Sequence, residues 1–195
     1  MSPRPRSASD DDILDALLRA AERSGPVRLT LAGVAQECGL SAAAVAQRFG
    51  SRRALLLAYG ARRVRELAGR FEAARREAGA PLGALVEALA GATDDAPTPE
   101  ALANRLALER GEVADGDFHA QALAHARRMG EEIRALLEEA VLAGELEPCD
   151  VAGLARTVQT TCEGALATWV VLREGTADDW LRDELEAVLA PYLPG

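Results

Sequence analysis

Wherever apolar residues gather in this chain they recur at helical spacing, and nowhere do Val, Ile, Thr and aromatic residues alternate with period two between turn signals. That pattern leaves no segment able to present one buried and one wet face as a strand, so no sheet is expected. Apolar residues make up 49% of the chain but aromatics only 4%. The apolar share is mostly Ala and Leu, both strong helix formers, which points the same way. An all-α fold of about nine helices is predicted, and 195 residues suit a small domain attached to a larger one.

Cap and stop residues divide the chain. Residues 1–9 read as a disordered arm, and Asp10, Asp11 and Asp12 then place negative charge where a helix N-terminus favours it. Ile13, Leu17 and Ala21 give this first helix one apolar stripe, and Ser24-Gly25-Pro26 ends it. Thr30 is an N-cap for a helix of about two turns, stopped by Gly39. Ser41 caps a third, equally short helix ending at Phe49-Gly50, and Ser51 caps a fourth that runs to about Ala78. Five further helices follow: one opened by Pro81, one by Thr98-Pro99-Glu100, one with the stripe Met129, Ile133, Leu136, Leu137, Ala140 and Val141, one from about Asp150 to Arg173, and one capped by Thr176. Domains are expected at 10–55 and 56–195.

Two short helices joined by a Gly-containing turn form a helix-turn-helix. Gly39 permits the tight turn, and Leu40, Val45 and Phe49 supply the side of the third helix that docks on the first two. The opposite side is left for DNA. Ser41, Ala42, Ala43, Ala46 and Gln47 occupy the first turns and outer face, where such motifs reach base edges in the major groove. Gln47 can pair bidentately with adenine, and alanine methyls can touch thymine methyls. Thr30, Arg48 and Arg52, with Arg53 beside them, are the candidates for phosphate contacts.

The segment LTLAGVAQECGLSAAAVAQRFGSRRALL, Leu29 to Leu55, resembles the DNA-binding region of the TetR family of bacterial regulators. The resemblance rests on Thr30, Val34, Ala35, the turn Cys38-Gly39-Leu40-Ser41, Val45, Phe49-Gly50-Ser51 and Arg52. With the first helix it covers about 50 residues; the remainder is similar to the family only in being helical. Family members commonly carry a basic residue, Gly and Tyr where this chain has Ala42, Ala43 and Ala46, which throws the phosphate contacts onto Arg48, Arg52 and the arm with Arg4 and Arg6.

The resemblance implies a repressor on a pseudo-palindromic double-stranded DNA operator, a body that binds a small-molecule effector between helices, and a homodimer through the last two helices. Independently, residues 151, 154, 155, 158, 162, 165, 166 and 169 are all apolar or small, more than one stripe uses, so helix 8 is expected to pack on its own body and on a second surface. Polar or aromatic residues on otherwise inward-facing helices, Asn104, His125, Gln159, Cys162, Glu163 and Trp169, are the pocket candidates. The Ala- and Leu-rich lining favours an apolar ligand. Arg62, Arg63 and Arg65 read as a solvated face of helix 4.

Net charge is −9, yet residues 1–80 carry +5 and residues 81–195 carry −14, so a basic end can face phosphates while the acidic body stays clear. No apolar h-region follows Arg4 and Arg6, and no run nears 18 uncharged apolar residues; a soluble, cytoplasmic protein with no membrane partner is expected. Cys38, Cys149 and Cys162 fit neither a disulfide framework nor a zinc site. His119 and His125 do not share a helix face, and no phosphate-cradling Gly loop or nucleophile elbow occurs. Neither an enzyme nor a cofactor is therefore expected. A second reading stays open: a helical protein-interaction or small-molecule-binding protein that has kept the fold and lost specific DNA binding.

Overall fold

The computed structural model describes residues 8–91, 93, 98–111 and 113–195, and among them no strand occurs. The helices are α1 (Asp10–Ser24), α2 (Leu31–Cys38), α3 (Ala42–Phe49), α4 (Arg52–Ala78), α5 (Pro81–Ala90), α6 (Pro99–Arg110), α7 (Gly116–Leu142), α8 (Val151–Leu172) and α9 (Ala177–Leu189). One-turn 3-10 segments stand before α2 and after α9.

Local chemistry sets the boundaries. Thr30, Ser41, Ser51, Thr98 and Thr176 each accept a hydrogen bond from a backbone N–H in the first turn of the helix they precede. Gly39 ends α2 at φ 69, a left-handed conformation that a side chain would strain. The expected arm needs correcting at its end: residues 1–7 lie outside the described residues, but Ser9 is the N-cap of α1. Its hydroxyl accepts from Asp12 N at 3.1 Å, and the Asp12 carboxylate accepts from Ser9 N at 2.7 Å, a reciprocal capping box. The bond from Ser9 N, and then one that the Ser9 hydroxyl donates at 2.7 Å, hold the Asp12 carboxyl below its ordinary value. An acid three residues into the helix thus does more than complement the helix dipole.

Two apolar cores form. The first gathers Ile13, Leu17 and Ala21 of α1, Val34 and Ala35 of α2, Val45 of α3 and Leu55, Leu56 and Tyr59 from the start of α4. The second gathers Leu67 and Phe71 further along α4, Leu85 and Leu89 of α5, Ile133, Leu136 and Leu137 of α7, Val158, Cys162 and Trp169 of α8, and Leu181 and Leu185 of α9. Helix α4, 27 residues and so about 40 Å long, belongs to both.

A second connection is absent from the sequence reading: α1 packs on α6. There Asn104 Nδ2 donates to Glu22 O at 2.7 Å, and Arg105 Nε donates to the Glu22 carboxylate at 2.7 Å. Glu22 and Arg105 are both buried. Where α4 passes α1, Arg62 Nη1 donates to Asp15 Oδ1 at 2.7 Å and to Asp11 O at 3.1 Å. Arg62 is only 6% exposed, which overturns the expectation of a solvated arginine face at that residue. The head is therefore fastened to the body by a buried ion pair, Glu22–Arg105, and by the buried Arg62 reaching the exposed Asp15, as well as by a continuous helix.

Candidate nucleic-acid interface and body cavity

Helix α3 buries one side chain completely, Val45 at 0% exposure, with Leu40 and Phe49 packed partly against the same core. The Ser41 hydroxyl accepts from Ala44 N at 3.1 Å and so fixes where the helix begins. Ser41, Ala42, Ala43, Gln47 and Arg48 are exposed and Ala46 is half-buried. A helix docked by one edge leaves its opposite edge to the outside, and on α3 that edge is the one expected to meet base pairs. Thr30, exposed at the start of α2, accepts from Gly33 N at 3.1 Å.

The cations near this face are more engaged than the sequence suggested. Arg48 is ion-paired with Asp10 and donates to Ala8 O. Arg52 turns inward: Nε donates to Leu29 O and Nη2 to Pro26 O, each at 3.1 Å, clamping the start of α4 to the turn before α2. Phosphate binding by Arg52 would compete with those bonds. Arg53 reaches Asp115 and Asp117 at 2.8 and 2.7 Å and lies over the Phe118 ring. Arg28, two residues before Thr30, is exposed, and no ion pair is formed by it among the described residues. Sequence reasoning passed it over, although its place ahead of the Thr30 cap was visible. Arg4 and Arg6 lie outside the described residues.

A cavity of about 560 Å³ opens between α4, α6, α7 and α8 of the body, with Asp15 and Leu18 of α1 also in its wall. Of the pocket candidates, His125, Cys162 and Glu163 line it. The other three stand elsewhere: Asn104 in the α1–α6 seam, Gln159 donating to Ala126 O at 3.1 Å between α8 and α7, and Trp169 in the body core with its indole N–H on Glu174 O at 3.2 Å. Arginines missed by the sequence reading complete the wall: Arg62, Arg63, Arg70, Arg105 and Arg110, alongside Leu67, Leu102, Leu106, Met129 and Leu166. An Ala- and Leu-lined pocket is not what forms. The available signal was the spacing of Tyr59, Arg63, Leu67 and Arg70, which puts arginines on the inward face of α4.

Burial first, then the charges of Arg63 and Arg70, push the His125 imidazolium down to about 4, so the ring is neutral at ordinary pH. Burial likewise pushes the Cys162 thiol up to about 11 and leaves it an unreactive thiol. Arg63 bonds Glu109 at 2.9 Å and approaches His125 Nε2 to 3.5 Å. A smaller pocket of about 80 Å³ lies on the head side of this cluster and shares Tyr59, Arg63, Glu109 and His125 with the main cavity. Gly60 in its wall lets Gln121 come close: a Cβ there would stand 2.2 Å from Gln121 Oε1, whose amide donates to Leu57 O.

Residues 13–59 match the model of the family described as bacterial regulatory proteins, tetR family. No curated protein matches the chain. Among solved structures, a TetR transcription regulator from Haloarcula marismortui is 20% identical, with 95% of this chain and 98% of that one covered and a TM-score of 0.79. FadR from Bacillus subtilis, solved in complex with stearoyl-CoA, is 14% identical over 93% of this chain and 98% of its own, with a TM-score of 0.76. SmeT, the repressor of the Stenotrophomonas maltophilia multidrug efflux pump SmeDEF, is 19% identical over 96% and 92%, with a TM-score of 0.69. With α3 exposed, residues 13–59 thus form a head that matches the tetR-family model, and the chain as a whole has the fold of the TetR-type regulators it resembles.

Proposed function

We propose that this protein is a TetR-type transcriptional repressor that binds a pseudo-palindromic operator as a homodimer and leaves it when a small molecule fills the body cavity. Residues 10–55 act as the reading head, with Ser9 closing α1, and residues 56–195 as the effector and dimerisation body. The observation that carries the reading is the exposed face of α3, where Gln47 is free to pair with adenine and Ala42, Ala43 and Ala46 offer methyls to thymine. Thr30, Ser41, Arg28 and Arg48 would hold phosphates, and Arg52 would present the head by bracing α4. Chromosomal DNA places its work in the cytoplasm.

A single short helix reads few base pairs, so two heads about 34–36 Å apart are needed. Helix α8 offers the surface. Of its apolar and small residues singled out from the sequence, all except half-buried Val151 belong to the body core, leaving outward Ala152, Thr160, Gly164, Thr168 and the 77%-exposed Val171. Small side chains permit close approach of a second copy of α8 and α9.

Release follows from the seam. A ligand that draws Arg105 or Arg62 inward weakens their hold on Glu22 and Asp15, shifting the head relative to the body. Ordinary coupling of this kind is about 1–3 kcal/mol. One observation favours the second reading, a fold retained without specific DNA binding: Arg48, Arg52 and Arg53 all have partners within the protein.

The two readings separate when purified protein selects from fragmented genomic DNA and the recovered fragments are titrated across a salt series. A repressor enriches a two-fold symmetric sequence, and its affinity falls steeply, with slope near about −0.9 for each phosphate neutralised. Recovery of no common sequence supports the second reading.

A further inference from the structure

The body cavity, at about 560 Å³, is of a size that encloses a small organic ligand. Its wall is divided. Leu67, Leu102, Leu106, Met129 and Leu166 make an apolar part, and the polar part sets five arginines, Arg62, Arg63, Arg70, Arg105 and Arg110, against four carboxylates, Asp15, Glu66, Glu109 and Glu163. Most of those arginines are matched by acids: Arg62 by Asp15 at 2.7 Å, Arg63 by Glu109 at 2.9 Å, and Arg105 by Glu22 at 2.5 Å. Arg110 donates to Glu163 O at 3.3 Å.

Arg70 is different. No carboxylate and no hydrogen-bond acceptor among the described residues meets it, and its Nε is buried without a partner. A guanidinium holds its charge under all ordinary conditions, so it cannot relieve such a position by losing a proton. What relieves it is an anion. Burial and the nearby charge of Arg63 both work against the Arg70 cation, whereas Glu109 supports it from a distance.

We infer that the cavity receives a small organic anion with an apolar tail, its carboxylate seated on the unpartnered Arg70 guanidinium and its tail along Leu67, Leu102, Met129 and Leu166. The inference rests on the reading of the body as an effector domain and gives that effector its chemical class. A cationic ligand would meet an uncompensated arginine, and a neutral one would leave Arg70 as it is.

His125 reports on the site. Its neutral ring approaches Arg63 and shares the cavity with Asp15 from α1, Tyr59, Arg62, Glu66 and Arg70 from α4, Arg105, Glu109 and Arg110 from α6, and Cys162 and Glu163 from α8. An anion beside Arg70 offsets part of the positive potential that, after burial, keeps its pKa near 4.

Decanoate, decan-1-ol and decyltrimethylammonium share one chain and differ in head-group charge. Calorimetric titration of each into the full-length protein, without DNA, tests the assignment. Decanoate is expected to bind roughly tenfold or more tightly than the other two. Arg70→Gln should remove that preference, so that decanoate and decan-1-ol bind it alike, and in the wild type the His125 ring resonances should titrate at higher pH with decanoate bound. Equal binding of acid and alcohol, or an acid preference surviving Arg70→Gln, would overturn it. Failure of the effector reading looks different: decanoate binds with the stated preference, yet an operator complex is unmoved by it.

Discussion

Head and body are both helical and both packed with Ala and Leu, but they use arginine differently. In the head, Arg48, Arg52 and Arg53 sit near the surface and spend their donors on Asp10, on the carbonyls of Leu29 and Pro26, and on Asp115 and Asp117. In the body, Arg62, Arg63, Arg70 and Arg105 turn inward around a cavity, and two of them also grip α1. The contrast bears on the proposed function, in which the head works through an outward face whose geometry local caps have fixed and the body through inward charges whose balance a ligand alters.

The sharpest break in that contrast is the seam. Glu22→Ala leaves the buried Arg105 guanidinium without its carboxylate and should cost about 3–5 kcal/mol in urea denaturation. Head and body should then unfold in separate steps. A single transition at the wild-type midpoint would show that the α1–α6 contact holds nothing.

Mild acidification probes the body through His125, above the range in which the head carboxylates Asp12 and Glu37 titrate. His125 is unprotonated in the fold down to about 4, while in the unfolded chain it takes up a proton near 6.5, so the unfolded state binds more protons between these values. Stability should therefore rise with pH across that window and fall as pH drops from about 6.5 to 4, by about 3 kcal/mol. His125→Gln should flatten this part of the profile. An unchanged profile would mean that the ring is not held neutral by its surroundings.

In the head, Gly39→Ala forces a side chain into a left-handed turn and should cost roughly 1 kcal/mol, with little effect on ligand binding in the body. The smallest effect concerns Asp10. Asp10→Asn frees Arg48 for phosphate and should tighten DNA binding about fivefold or less, most at low salt. Weaker binding would mean that Arg48 contributes through its contact with α1.

What was legible in the sequence follows the same division. Thr30, Ser41, Ser51, Thr98 and Thr176 cap helices where the residues alone placed them, because capping is settled within three residues of chain. The buried Val45 and the exposed Gln47 likewise follow from one short helix with one apolar edge. Arg62 finds Asp15 across 47 residues and Arg105 finds Glu22 across 83, and no local pattern encodes either meeting. The cavity is a mixed case: His125, Cys162 and Glu163 were singled out and do line it, and the spacing of Arg63 and Arg70 with Tyr59 and Leu67 marked an inward face of α4, but that Arg105 and Arg110 of α6 meet them there depends on packing across the chain.

The central claim is that α3 reads base edges while its neighbours hold the backbone. Binding by wild type, Gln47→Ala and Arg28→Ala, measured by fluorescence anisotropy on operators varied one base pair at a time, tests it most directly. The expected result is that Gln47→Ala loses discrimination at one position in each half-site, by roughly 1–3 kcal/mol, while Arg28→Ala weakens every sequence alike. Identical behaviour of the two variants across all operators would contradict it.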